Sequence, residues 1–461
     1  MKTLRDPDKF LAEKLDAIRE QYKVPGPFAP EVEQAAQEAA QREPTAHSDR
    51  TAMPFVTLDP GSSTDLDQAF AIEPAGSDWL LRYAIADVGF FVDPGGALDL
   101  EAWKRGTTCY LPGAKASLYP RVLSEKAASL LPDGDRPATV FAVRIDPEGG
   151  TRLEGVEKAL IRSRAKLAYE SVRGDELPTG FAEIAERVKA AEERRGAARV
   201  DPPEQEVTHD AAGHFTLQLR PQTLAEQRNA TLSLATNLAV AEALWQAKTG
   251  LFRVMPGPSE RAIGRLRGTA RAFALDWPEH MPLGDFEKRL DPSNPREAAF
   301  LMAARRGGNG ASYVPYMPGE KPWHAAMAAT YCHMTAPLRR LADRHVIAAA
   351  MAVANGQPVP DFAADAFPQL PEVMARAEAR DNQVDRAVVD LAEAAMLSGR
   401  EGERFSAVVT DLGEAGARIQ LCELPVVSRV KAHGVLPGDD ITVRLARADP
   451  ARREIVFERI A

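Results

Sequence analysis

Cysteine is scarce: three residues, Cys109, Cys332 and Cys422, stand far apart among 461. That excludes a disulfide framework and a cysteine-rich zinc site. No run approaches the roughly 20 consecutive apolar residues of a membrane span, and no basic-then-apolar leader opens the chain. A cytoplasmic protein without membrane contact is expected. Positive charge is also in deficit, with 57 Lys and Arg against 66 Asp and Glu, a net charge of −9. Such a chain does not coat nucleic acid with broad positive charge, although a locally basic channel stays open to it. Aromatic residues make up only 7%, so most are expected in the core. Apolar residues, at 45%, are plentiful enough to build that core. Proline is abundant at 35 residues, which implies many short connections and argues against a coiled coil or a helical bundle.

The pattern changes twice along the chain. Residues 1–50 read as two short helices. Asp6-Pro7 offers a cap and a first-turn proline, Phe10, Leu11, Leu15, Ile18 and Tyr22 follow at helical spacing, and Pro25-Gly26-Pro27 stops the run. The second helix starts near Ala29-Pro30 and ends near Gln41, with a mostly alanine face. A helix-turn-helix reader of nucleic acid also fits this pair, but a docked N-terminal extension fits it better. Residues 51–400 begin with short strands at Phe55–Leu58, Ala69–Ile72, Trp79–Ile85 and Val88–Val92, separated by Pro/Gly/Ser turns. After about Thr223 the pattern is helical, and Val384, Val388, Leu391 and Ala395 form one late stripe. Strands followed by helices predict an α+β domain with a mixed sheet flanked by helices. Residues 401–461 return to five short strands, the content of a small OB-type β-barrel.

The most informative stretch is Thr57-Leu58-Asp59-Pro60-Gly61-Ser62-Ser63-Thr64-Asp65-Leu66-Asp67-Gln68-Ala69. It places three carboxylates on a loop between two apolar strands. In an extended backbone Asp65 and Asp67 point the same way, and the loop can fold Asp59 beside them. Gathered carboxylates repel one another and raise each other's pKa values unless a cation neutralises them. All-oxygen donors suit Mg²⁺, Mn²⁺ or Ca²⁺ rather than zinc. Solvated turn-forming aspartates are the plainer alternative.

Thr335-Ala336-Pro337-Leu338-Arg339-Arg340-Leu341-Ala342-Asp343 is the second site. With Pro337 in the first helical turn, Arg339 and Arg340 fall near a helix N-terminus, where cations are disfavoured and an anion is favoured. A phosphate would account for that mismatch. An Arg339–Asp343 pair one turn apart would account for it equally well.

Together these two segments resemble the signature of the RNase II/RNase R (RNB) family of exoribonucleases. Further strips follow in family order: Ile85-Ala86-Asp87-Val88, Arg105-Gly106-Thr107, Tyr110-Leu111-Pro112, Leu123-Ser124-Glu125 and Ser163 to Tyr169. The resemblance runs from about Pro54 to Ser398, and the last segment resembles the S1-type OB domain that ends many members. It implies hydrolysis of single-stranded RNA from the 3′ end to nucleoside 5′-monophosphates, by a monomer using Mg²⁺ or Mn²⁺. It implies Asp59, Asp65 and Asp67 as metal ligands, Gln68 as a weaker polar ligand, and Arg339 on the scissile phosphate. Arg340 falls to a neighbouring phosphate. Tyr110 matches a base-stacking position near the 3′ end, Tyr169 a ribose contact and Phe215 an upstream clamp.

Two departures stand out. Gln68 occupies the place where the family usually has a fourth aspartate, so the site carries three formal negative charges. An RNA-binding protein with the nuclease fold and little hydrolysis is therefore the alternative reading. Second, fifty N-terminal residues cannot contain the tandem cold-shock domains of better-known relatives.

Overall fold

The central strands of the first half are largely apolar because they lie deep inside one sheet. In the computed structural model, which describes residues 12–197, 204–209, 215–220, 222–291, 293–307, 310–413 and 416–460, Arg136–Ile145 is the buried centre of that sheet. It pairs antiparallel with Thr151–Ile161 on one side and Asp78–Ala86 on the other. Gln68–Ala75 closes one edge, and Ser48–Asp49 adds a short parallel strand at the other. The register sets Phe70 beside Tyr83 and Tyr83 beside Phe141, three rings at most 1% exposed. Each such ring contributes about 2–3 kcal/mol through burial.

Helix Leu224–Gln246 packs on this sheet. It starts at a reciprocal cap: Glu226 N–H donates to the Thr223 hydroxyl at 3.2 Å, and Thr223 N–H donates to the Glu226 carboxylate at 2.6 Å. The helix is buried on several faces, and its buried positions include the polar Asn229, Thr236 and Asn237. The 28-residue helix Leu370–Leu397 carries the expected stripe, with Val384, Val388 and Leu391 buried, and leads into the C-terminal barrel. There the order is Val427–Val430, Gly416–Leu421, Arg404–Gly413, Asp440–Asp449 and Glu454–Arg459, all antiparallel. The first and last of these strands approach one another, giving the near-closed OB-type barrel.

The two N-terminal helices, Ala12–Gln21 and Pro30–Ala39, are both docked on the body. The first lies against Leu370–Leu397, and the second lays Val32, Ala36 and Ala39 against Ala97–Arg105. Asp6-Pro7, Phe10 and Leu11 lie outside the described residues. Val88–Val92, expected as a strand, is instead a turn of helix over Val88–Phe91. Val88, Phe91 and Val92 are all buried, an i, i+3, i+4 spacing that outweighs the β-propensity of the residue types. No described helix is long and apolar enough to cross a membrane.

Candidate active site

Three segments distant in sequence meet at the end of a second, two-stranded sheet. Thr57–Asp59 pairs in parallel with Lys166–Ala168, which sets Asp59 beside Ala168. The aspartate loop then returns through Asp65 and Asp67. Ser129 pins it: the hydroxyl donates to Thr64 O at 2.8 Å and accepts from Leu66 N–H at 2.9 Å. Leu130 N–H adds a bond to Leu66 O at 3.0 Å. The third segment is 334–340. Asp67 is 4% exposed; its Oδ1 accepts from Leu338 N–H at 2.8 Å, and its Oδ2 lies 3.4 Å from Arg339 Nε. The two sites read separately from the sequence are therefore one place. Arg339 keeps 46% of its side chain exposed, and among the described residues Asp67 is its only ion-pair partner. It has donors left for an anion.

Arg339 and Arg340 do not lie inside a first helical turn. The helix spans Leu341–Ala354 with extended Arg340 at its cap, because the backbone just ahead of it is used elsewhere. Thr108 N–H donates to Arg339 O at 3.0 Å, and Leu341 N–H to Gly106 O at 2.9 Å. Gly106 also lets the helix Leu370–Leu397 come close on its other side. Its φ is +72°, and a Cβ there would stand 2.7 Å from that of Ala377.

Asp343 pairs with Arg340, not with Arg339: Nε and Nη2 donate to its two oxygens at 2.9 and 2.7 Å. Asp343 also accepts from Ala336 N–H at 2.8 Å. The Arg340 fork is thus engaged with a carboxylate here, where the phosphate contact expected of it calls for free donors.

Gln68 is likewise engaged with neighbouring protein. Its Nε2 donates to Thr335 O at 2.7 Å, and its Oε1 accepts from the buried Tyr83 hydroxyl. Both ends of the amide tie the aspartate strand to neighbouring protein, the position of a strut.

Asp65 does not close on the other two aspartates. Its Oδ2 accepts from the Tyr110 hydroxyl at 3.0 Å, and its Oδ1 stands 3.0 Å from Lys115 Nζ. Among the described residues no three His, Cys, Asp or Glu side chains converge tightly enough to enclose an ion. Among the described residues the Asp59 carboxylate itself has no hydrogen bond and no ion pair. Burial pushes its carboxyl up to about 6, with Arg339 opposing and the charge of Asp65 adding to the rise. Burial likewise pushes Asp67 up to about 7, against the pull of Arg339 and Leu338 N–H. Two under-compensated carboxylates and an all-oxygen donor set fit a hard divalent cation.

These shifts have a sign that can be checked. A carboxyl raised above its unfolded value favours the folded state at low pH, and that stability is lost as pH rises through about 6 to 7. A cation bound to the ionised pair reverses the loss. Mg²⁺ should therefore raise the melting temperature strongly at pH 8 and little at pH 5. Differential scanning calorimetry with EDTA or Mg²⁺ at both values reads this, and an equal Mg²⁺ effect at both would detach the two aspartates from metal binding.

Tyr169 N–H donates to Asp59 O at 3.2 Å, and its hydroxyl accepts from Asn229 Nδ2 at 2.8 Å. The strand Phe215–Arg220 pairs with Glu204–His209, but the Phe215 side chain lies outside the described residues.

Several positioning residues escaped the sequence reading. Asn229 Nδ2 also donates to Leu58 O at 3.0 Å. The hydroxyls of Ser233 and Thr335 stand 2.9 Å apart, and Asn237 Oδ1 accepts from Met334 N–H at 3.1 Å. Asn229, Ser233 and Asn237 are an i, i+4, i+8 polar stripe, a signal present in the sequence. Lys115 was legible too: Pro112-Gly113 makes a two-residue turn, Gly113 has a φ of +70°, and Tyr110 then pairs with Lys115 across the hairpin.

Comparison with known proteins identifies the family and the fold. Residues 47–352 match the RNB domain, and residues 403–460 the C-terminal S1 domain of RNase II-type exonucleases. Ribonuclease R of Aquifex aeolicus is 26% identical over 504 residues, covering 98% of this chain and 71% of that protein. Ribonuclease R of Mycoplasma pneumoniae is 30% identical over 64% of this chain, which spans only 44% of that relative. Exoribonuclease 2 of Cronobacter sakazakii is 27% identical, covering 83% of this chain and 62% of that protein. Among solved structures, Mycoplasma genitalium RNase R in complex with ribose-methylated single-stranded RNA superposes with a TM-score of 0.83 at 20% identity, over 97% of this chain and 78% of that one. Yeast Ssd1, a pseudonuclease, shares the fold at a TM-score of 0.65 and 16% identity, over 95% of this chain and 57% of its own. The fold is thus compatible with either outcome, but the domain match spans most of this chain and contains both the aspartate loop and Arg339. The chain belongs to the RNB family of exoribonucleases.

Proposed function

We propose that this chain is a hydrolytic 3′→5′ exoribonuclease that shortens single-stranded RNA to nucleoside 5′-monophosphates with Mg²⁺, or Mn²⁺, by a two-metal mechanism. The observation that carries the reading is the buried Asp67 joined to a half-exposed Arg339, with the poorly compensated Asp59 close enough to feel both Arg339 and Asp65. Asp59, Asp65 and Asp67 would hold the ions, Asp65 after loosening its contact with Lys115. Two such ions, when bound, supply an activated water and neutralise charge on the scissile phosphate.

The remaining work falls to the chain itself. Arg339 donates to the phosphate oxygens as charge develops on them, while its contact with Asp67 fixes the guanidinium's direction. Asp67 is fixed in turn by Leu338 N–H. The Tyr110 ring, held by its hydroxyl to Asp65, offers a face to the 3′-terminal base; stacking of this kind supplies about 1–3 kcal/mol per base without reading sequence. Tyr169, held by Asn229, would line the ribose end. Phe215 remains the proposed upstream clamp. RNA recognition by the terminal barrel would need its nine basic and nine acidic residues between Glu403 and Ala461 sorted onto separate faces.

A 5′-labelled single-stranded RNA incubated with the protein and Mg²⁺ should shorten progressively from its 3′ end and stay intact with EDTA. RNA that is bound but never shortened would favour the pseudonuclease reading.

Gln68→Asp tests the strut role. The carboxylate cannot donate to Thr335 O, and it buries a charge beside Tyr83. A loss of about 1–3 kcal/mol in unfolding free energy is expected from the unpaired carbonyl, with a Mg²⁺ requirement that stays flat or rises. A lowered Mg²⁺ requirement would restore Gln68 to the ligand set.

A further inference from the structure

Lys115 is the one lysine seen in an ion pair with the aspartate loop among the described residues, and it is held in place by a second carboxylate. Its Nζ stands 3.0 Å from Asp65 Oδ1 and 3.2 Å from Glu125 Oε1. The three side chains are only 21%, 14% and 10% exposed. Glu125 is anchored in turn, one turn along its helix, by Arg121 at 3.0 Å. Lys115 hangs from a hairpin whose other strand carries Tyr110, and Tyr110 binds the second oxygen of Asp65. Asp65 therefore has one oxygen on a neutral hydroxyl and the other on a fixed cation. Its two acidic neighbours are pushed up by burial and have Arg339 nearby, but no lysine ion pair.

We propose that Lys115 is a built-in competitor for Asp65, a positioning residue that sets how much divalent cation the site needs, and that Glu125 sets the strength of that competition. The inference rests on Asp65 being a metal ligand, as proposed above. Before a divalent ion binds, the ammonium offsets the repulsion of Asp65 by Asp59 and Asp67 and holds its carboxylate apart from them. To ligate an ion, Asp65 must share or give up the oxygen that Lys115 holds, and the ion must approach a fixed positive charge. Glu125 lowers the cost of both, because it offers the ammonium a second partner to retreat to. Removing Lys115 therefore makes the site more attractive to a divalent ion. Removing the charge of Glu125 makes it less so.

The two substitutions thus have opposite signs, which no loss of local scaffolding reproduces. Lys115→Met should tighten Mn²⁺ binding to the metal-stripped, RNA-free protein by about tenfold or more, the order Coulomb's law gives with bulk-water screening for one charge about 6 Å from a divalent ion. Glu125→Gln should weaken it by about threefold or more. Lys115→Arg should stay near wild type. Mn²⁺ titration followed by the electron paramagnetic resonance of the free ion reads all three without any turnover. Asp65→Asn is the control and should weaken binding more than tenfold. If Asp65→Asn leaves the affinity unchanged, Asp65 is no ligand and the underlying reading fails. If Asp65→Asn weakens binding but Lys115→Met leaves it unchanged or weaker, or if Glu125→Gln shifts it the same way as Lys115→Met, the competition is overturned while Asp65 stays in the ligand set.

Discussion

Asp67→Asn should leave a folded, RNA-binding protein that no longer hydrolyses RNA. The amide keeps an oxygen able to accept from Leu338 N–H, the bond that joins the aspartate strand to the arginine segment at 2.8 Å. It gives up a charge that burial makes costly, since the carboxyl is pushed up to about 7. At pH 8 without metal the variant should therefore melt no lower than the parent. Single-turnover cleavage should fall by about 10²–10³ or more, the range lost when one preorganised electrostatic group is removed from a charge-developing centre. Filter binding of the same RNA should be unchanged. A variant that is stable and turns over normally would remove Asp67 from the chemistry.

The contrast between Asp67 and its neighbour Gln68 shows what the sequence could carry. The aspartate loop was readable because Pro, Gly and Ser between two apolar strands are local signals. Gln68 was not, because its partners are the Tyr83 hydroxyl fifteen residues on and the Thr335 carbonyl 267 residues on. A glutamine offers an oxygen to either kind of neighbour, and only the fold decides which one arrives. Arg339 and Arg340 look alike in sequence for the same reason. The pairing of 106–108 with 339–341 delays the helix to Leu341, turns Arg340 to Asp343 and leaves Arg339 to Asp67. Val88–Val92 failed locally instead, where the residue types favoured a strand and their burial followed a helical spacing. The stripe of Asn229, Ser233 and Asn237 was present all along. Polar residues in an apolar helix are informative only once the helix is known to be buried.

Arg339→Lys should be nearly inactive in spite of keeping its charge. A guanidinium can hold Asp67 through one edge and direct two parallel bonds at a phosphate with another, whereas an ammonium is a point charge on a flexible stem. The single ammonium cannot keep both partners, and at 46% exposure the packing around the lysine is too open to fix it. Single-turnover cleavage of a short oligonucleotide should drop by about 10²–10³. Affinity for the same oligonucleotide should fall much less, because other phosphates along the strand keep their own partners. Equal losses in rate and affinity would reduce Arg339 to a substrate holder, and wild-type turnover in the lysine variant would exclude it from catalysis.

Hydrolysis of single-stranded RNA in ¹⁸O-labelled water, with Mg²⁺ and the products resolved by mass spectrometry, tests the central claim most directly. The account requires water to be the nucleophile at the phosphate next to the 3′ end. Each released nucleoside 5′-monophosphate should then carry one ¹⁸O on its phosphate, and Asp67→Asn should release none. Release of unlabelled monophosphates, of cyclic phosphates or of diphosphates formed with added inorganic phosphate would contradict it, as would intact RNA at every Mg²⁺ and Mn²⁺ concentration.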